Sequence, residues 1–204
     1  MASTDFKLAV LVSGRGTNLQ AIIDHIDQGK LNAGIAIIIT NKSMAQALER
    51  GKKHAIQTTF LDPDRYPEKA EYDRALANII KKHSVDLICL AGYMRILGKE
   101  FVQTFKGKII NIHPSLLPAF PGLNVQQKAI DGGVKFSGCT VHFVDETVDA
   151  GPIILQAVVP VHQDDSAETL TQRILEQEHI LYPKAIKMIA ENHIKICDGK
   201  IVAL

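Results

Sequence analysis

The chain has 204 residues, 46% of them hydrophobic and 22% charged, with a formal net charge of +1. That length and balance fit one ordinary globular domain, and so small a net charge does not supply the basic stripe that a nucleic-acid backbone draws on. No apolar stretch approaches a membrane span, and the polar opening MASTDFK is followed by an apolar run too short for a secretory leader.

The three cysteines, Cys89, Cys139 and Cys197, lie too far apart for a zinc or redox pair. The expectation is a cytoplasmic protein with reduced core thiols and no metal, membrane or nucleic-acid partner.

Along the chain, short β-branched runs recur at KLAVLVS (7–13), GIAIIIT (34–40), DLICLAG (86–92) and KIINI (108–112). Each is continuous rather than alternating, which suits strands buried on both faces. Between them, Asn18 to Asp27, Met44 to Lys53 and Tyr66 to His83 carry apolar residues every three or four positions and read as helices. This β, α, β, α order predicts a mainly parallel sheet flanked by helices.

From about Ser137 the rhythm changes. GCTVHFV and PIILQAVVPV are joined by DETVDAG, too short for a crossover helix, so they are expected to pair antiparallel. Ser166 to Ala190 reads as one long helix with Ser166 as its cap and Glu168 near its start. A terminal hairpin at KICDGKIVA turns at Asp198-Gly199.

Three segments carry candidate chemistry. In LAVLVSGRGTNLQAII, Gly14 and Gly16 stand between a strand and a helix, where free backbone amides and the positive helix end favour a phosphate. Only GxG is present, without the third glycine of a dinucleotide fingerprint or a Gly-Lys-Ser nucleotide loop, so neither a nicotinamide cofactor nor ATP is indicated. The plainer alternative is a tight turn capped by Thr17 or Asn18.

In KIINIHPSLLPAFPG, Pro114 ends a strand immediately after His113. Asn111 and His113 are two apart and therefore point to one face near the strand's carboxyl end. An amide beside an imidazole can donate to a developing oxyanion, and the imidazole can move a proton, as acyl transfer requires. Against this stands the alternative that Asn111 satisfies loop backbone and His113 is a packed core histidine. The third group needed to support the imidazole has three candidates in DETVDAGP, namely Asp145, Glu146 and Asp149, and spacing does not choose among them. His142 reads as a core or supporting histidine, and His162, His179 and His193 show no metal-ligand spacing.

The order SGRGTN, AGYMRIL, NIHPSLLPAFPG and DAGPIILQ closely resembles the glycinamide ribonucleotide formyltransferases, folate-dependent enzymes of purine synthesis, over nearly the whole chain. The resemblance implies a Rossmann-like formyltransferase fold as a single domain over 1–204, with ribonucleotide binding in its amino-terminal half and folate binding and catalysis in its carboxyl-terminal half. It implies that Asn111 and His113 act at the formyl carbon and that Asp149 pairs with His113. Gly16, Thr17 and Asn18 are assigned to the phosphate of glycinamide ribonucleotide and Glu178 to its ribose. Met94, Arg95, Ile96 and Leu97, with Asn111, are assigned to the folate, against the plainer reading of MRIL as core.

In family members an arginine precedes the helix near Lys69 and meets the folate's acidic tail; here PEKAEYDR offers Lys69 instead, a point charge without the two-pronged geometry. The implied co-substrate is 10-formyltetrahydrofolate, without a metal, and the expected assembly is a monomer or homodimer. Two related activities are alternatives. Methionyl-tRNA formyltransferases resemble longer proteins with a carboxyl-terminal module, and formyltetrahydrofolate deformylases carry an amino-terminal regulatory domain; a first strand at Lys7 and an end at Leu204 favour neither.

Overall fold

A computed structural model of the chain describes residues 6–204; of the polar opening read against a leader, residues 1–5 lie outside the described residues. The elements are β1 (Lys7–Val12), α1 (Thr17–Asp27), β2 (Gly34–Thr40), α2 (Gln46–Lys53), β3 (Thr58–Phe60), α3 (Lys69–Lys82), β4 (Leu87–Leu90), α4 (Lys99–Thr104) and β5 (Ile109–His113). They continue with α5 (Val125–Asp131), β6 (Phe136–Phe143), β7 (Ile153–Pro160), α6 (Ala167–Ala190), β8 (Ile194–Cys197) and β9 (Lys200–Ala203). The strand order is β3-β2-β1-β4-β5-β6-β7, with β8 and β9 as a separate pair.

Two compact units divide within β5, one ending at Ile110 and the other running from Asn111 to Leu204. In the first, β1 lies parallel to β2 and to β4, and β2 parallel to β3. The continuous apolar runs are the reason. Leu8 to Leu11, Ile37 to Ile39 and Ile88 are shut off from solvent, so no face of these strands is polar. In the second unit β6 and β7 pair antiparallel, as the short DETVDAG connection requires, and α6 packs on both.

The long runs form where the sequence places them, and the short elements are additions. β3, α4 and α5 have three, six and seven residues, too few to show a period. The helix expected from Tyr66 begins instead at Lys69. Tyr66 precedes Pro67, whose ring pushes it to an extended conformation, and a 3-10 turn at Pro63–Arg65 lies before it. Cys89 and Cys139 are buried thiols as expected, whereas Cys197 is exposed on β8 because that hairpin buries little of either strand.

Helix α6 starts at a reciprocal cap. Ser166 Oγ accepts from the Thr169 amide at 3.2 Å, and Thr169 Oγ1 accepts from the Ser166 amide at 3.0 Å. Beside it Arg173 grips Asp165 through both terminal nitrogens, at 2.7 and 2.9 Å, and holds that carboxyl well below the usual carboxylate range. Ser166→Ala removes one half of the cap. It is expected to lower the unfolding free energy by about 1 kcal/mol in urea titration, without shifting the folded-state spectrum.

Candidate active site

In the first unit, β1 gives way to the loop Ser13–Gly16. Gly16 is the residue before α1, with a left-handed φ of 69°, and a Cβ there would lie 3.0 Å from that of Ala47. Only glycine fits that position comfortably. Neither Thr17 nor Asn18 is the cap: both lie within α1, whose cap position is Gly16 with no side-chain cap bond, and the first turn holds no acidic residue. The positive end of α1 thus meets no acidic side chain in its own first turn, a setting that favours an anion. Arg50 braces the loop, donating from Nε to the Arg15 carbonyl at 2.8 Å and from Nη1 to Gln20 Oε1 at 2.9 Å.

The MRIL run is not core. Met94 and Ile96 are 65% and 66% exposed on an irregular segment after β4, while Arg95 and Leu97 are half-buried. Its course is held at several points. The Arg95 guanidinium lies 4.3 Å over the Tyr72 ring, and the Tyr72 and Tyr93 hydroxyls meet at 2.9 Å. The Gly98 amide donates to Asp73 Oδ2 at 2.8 Å. Burial raises the Asp73 carboxyl, opposed by that bond and by the charges of Lys69 and Arg95. Lys69 itself is exposed, at the first position of α3.

The second unit holds the polar cluster. Pro114 stops β5 after His113, and the following residues are folded back by a buried network. Thr140 Oγ1 donates to the Ser115 carbonyl at 2.7 Å and accepts from the Leu117 amide and Gln156 Nε2 at 3.1 and 3.0 Å. Ser115 Oγ faces the Ala119 and Phe120 carbonyls at 2.7 and 3.1 Å. The network delivers two backbone groups: the Phe120 carbonyl accepts from His113 Nε2 at 3.0 Å, and the Gly122 amide donates to Asp149 Oδ2 at 2.8 Å.

Asn111 and His113 converge, as their period of two requires. His113 Nδ1 stands 3.5 Å from Asp149 Oδ2, and the Asn111 amide nitrogen 3.3 Å from His142 Nε2. His142 Nε2 is also 3.8 Å from Asp149 Oδ1, so the carboxylate lies between two imidazoles. Of the three carboxylates in the β6–β7 connection, Asp145 and Glu146 are exposed and Asp149 turns inward with a φ of 55°. Gly151 allows the turn, because a Cβ there would strike the Phe143 carbonyl.

His142, read from sequence as core or support, is 2% exposed and belongs to this cluster. Its Nδ1 faces the Phe143 carbonyl at 2.9 Å and must donate to it. Burial pushes the ring below the usual histidine range, so it stays neutral with a bare Nε2 that accepts from Asn111. His113 differs: its Nε2 donates to the Phe120 carbonyl, and its Nδ1 lies 3.5 Å from Asp149 Oδ2. Neither the role of His142 nor the backbone groups of Phe120 and Gly122 carries a sequence signal of its own.

Glu178 lies on the buried side of α6, 7% exposed. Burial and the negative charge of Glu178 push the Cys139 thiol up to about 12. Among the described residues no group of three or more histidine, cysteine, aspartate or glutamate side chains is placed to hold a metal ion. No helix among them is long and apolar enough to cross a membrane.

A mainly parallel α/β sheet with an anion-favouring helix start and an amide, imidazole and carboxylate cluster has the features of a group-transfer enzyme. The chain belongs to the formyl transferase family, which matches residues 6–186. It is 47% identical to a phosphoribosylglycinamide formyltransferase of Haemophilus influenzae over 95% of this chain and 91% of that protein. The structure of a glycinamide ribonucleotide transformylase 1 from Symbiobacterium toebii superposes with a TM-score of 0.96 at 46% identity, covering 99% of this chain and 95% of that one. The trifunctional purine biosynthetic protein adenosine-3 of Gallus gallus is 44% identical over 96% of this chain, which spans only about a fifth (20%) of that protein's length.

The neutrality of His142 has a measurable sign. Below about pH 6.5 an unfolded chain protonates this histidine while the folded one resists, so its contribution to stability is complete above that pH and is lost as pH falls towards the lower folded value. Comparing urea unfolding of the parent and His142→Gln, the parent is expected to lose stability relative to the variant between pH 7.5 and 5. A relative gain on acidification would mean that the folded ring is charged.

Proposed function

We propose that this chain transfers the formyl group of 10-formyltetrahydrofolate to the amine of 5'-phosphoribosylglycinamide, giving formylglycinamide ribonucleotide and tetrahydrofolate in purine biosynthesis. The observation that carries the reading is the convergence of Asn111, His113 and Asp149 at the end of β5 in a chain of this family. The two halves act as one formyltransferase domain.

The amine nitrogen attacks the formyl carbon, whose carbonyl electron pair moves to oxygen. Collapse of the tetrahedral intermediate re-forms that carbonyl and breaks the bond to the folate nitrogen, which takes up the proton the amine gives away. Asn111 has two amide hydrogens, one held by His142 and the other available to the developing oxyanion. A His113 imidazolium would place positive charge beside that oxygen, with the Asp149 carboxylate 3.5 Å from its Nδ1. Direct donation from His113 Nε2 would exchange the Phe120 carbonyl for the substrate oxygen. His113 also relays the proton, directly or through water.

Gly16, Thr17 and Asn18 receive the phosphate at the start of α1, and Glu178 contacts the ribose. Met94 to Leu97 read the pterin, with backbone groups against the ring and Ile96 and Leu97 as apolar walls; the exposure of Met94 and Ile96 supports this over a packing role. Lys69 supplies a cation for the folate's acidic tail. The substrates are these two small molecules, and the protein works in the cytoplasm.

Incubation of the chain with both substrates, following formylated product and folate release together, tests the reading. Transfer supports it, release without transfer identifies a hydrolase, and silence identifies a binder. Asn111→Ala is expected to lower kcat by about a hundredfold to a thousandfold while changing the ribonucleotide KM far less. Parental turnover in folded Asn111→Ala, His113→Ala and Asp149→Ala would remove the assignment.

A further inference from the structure

β1 and β4 run side by side, and their ladder continues past both strand ends. The Ala91 amide donates to the Leu11 carbonyl at 2.8 Å and the Ser13 amide to the Gly92 carbonyl at 3.1 Å. There β1 turns away into the glycine loop, and the next rung is made by a side chain. The Met94 amide donates to Ser13 Oγ at 2.8 Å. The hydroxyl's single hydrogen goes to Asn41 Oδ1 at 2.6 Å, and Asn41 is buried directly after β2.

The direction of each bond is forced. A backbone amide can only donate and a side-chain carbonyl can only accept, so the Ser13 hydroxyl is oriented by Asn41 and presents its lone pairs to Met94. We infer that Ser13 is a positioning residue that links the glycine loop to the Met94–Leu97 segment, so that an anion on the loop tightens folate binding through this one hydroxyl. The inference rests on the proposed reading of those segments as phosphate and folate sites.

The linkage follows from ordering. Met94 is largely exposed on an irregular segment, and Ser13 Oγ anchors its amide. An anion that orders the loop also orders Ser13, so a second ligand at Met94 to Leu97 meets a segment already fixed. By reciprocity, folate tightens the anion by the same factor. One hydrogen bond of this kind corresponds to a factor of roughly three to ten.

The test uses the full chain and the variants Ser13→Ala, Ser13→Thr and Asn41→Ala. Tetrahydrofolate affinity is measured by calorimetry with and without inorganic phosphate, and hydrogen exchange of the Met94 amide under the same conditions. In the parent, phosphate should tighten tetrahydrofolate roughly three- to tenfold and slow that exchange. Ser13→Ala should lose both effects and raise the formyl-folate KM with kcat within about twofold, and Ser13→Thr, which keeps the hydroxyl, should restore them.

If Ser13→Ala does not fold, Asn41→Ala, which leaves the hydroxyl unoriented, is expected to weaken the same two effects. Undiminished linkage in Ser13→Ala, or in Asn41→Ala where that variant replaces it, overturns the inference, as does a parent that shows no linkage. Failure of the parent to formylate glycinamide ribonucleotide removes the proposed function instead; the exchange measurement still judges the linkage, because it needs no turnover.

Discussion

The polar cluster depends on one imidazole remaining uncharged. His142 gives its Nδ1 hydrogen to the Phe143 carbonyl, and burial opposes a second proton. Its Nε2 is therefore an acceptor, and the amide of Asn111 must turn its nitrogen towards it. If His142 were protonated, Nε2–H would face the nitrogen of Asn111 as one donor against another. The amide would then have to rotate and offer its oxygen instead. A neutral histidine thus fixes which atoms of Asn111 are left unengaged by His142.

The same neutrality keeps the charges in order. Asp149 lies between two imidazoles, 3.5 Å from His113 Nδ1 and 3.8 Å from His142 Nε2. A carboxylate shared equally between two charged rings would leave net positive charge in a site where desolvation penalises it. With His142 neutral, at most one of the two rings beside Asp149 carries charge, and the rest of the cluster is a string of neutral donors and acceptors. The Gly122 amide and the Phe120 carbonyl complete that string; Ser115 Oγ donates to the Phe120 carbonyl, and Thr140 Oγ1 holds the Ser115 carbonyl. Polar groups buried together are stable only when each finds a partner, and this loop meets that condition chiefly through main-chain atoms.

That reliance on main chain explains what could be read from sequence. The strands at 7–13, 34–40, 86–92 and 108–112 were legible because burial on both faces leaves an unbroken apolar run. Asn111 and His113 were legible because a strand's period of two and a following proline are both sequence properties. Asp149 was separable from Asp145 and Glu146 only by resemblance, since its inward turn is a matter of backbone conformation, with a φ of 55°. The MRIL run invited a core reading by composition alone. Its exposure follows from the absence of any strand or helix to carry it, which hydropathy does not encode. Ser13 and His142 act through partners 28 to 81 positions away for Ser13 and 31 for His142, separations at which a single sequence carries no pattern.

The two glycines of the first loop illustrate the same division between residue type and placement. Gly16 is required by its own backbone and by Ala47, so that position would demand glycine whether or not a ligand bound there. Gly14 has neither reason: its φ lies outside the left-handed region, and a Cβ would meet nothing within 4 Å. What Gly14 contributes is open space beside a helix start that has no acidic residue in its first turn and no side-chain cap. Conformation alone therefore accounts for one glycine of the pair; for Gly14 the proposed phosphate supplies a reason that backbone geometry does not. The helix dipole would favour the phosphate proposed at that end.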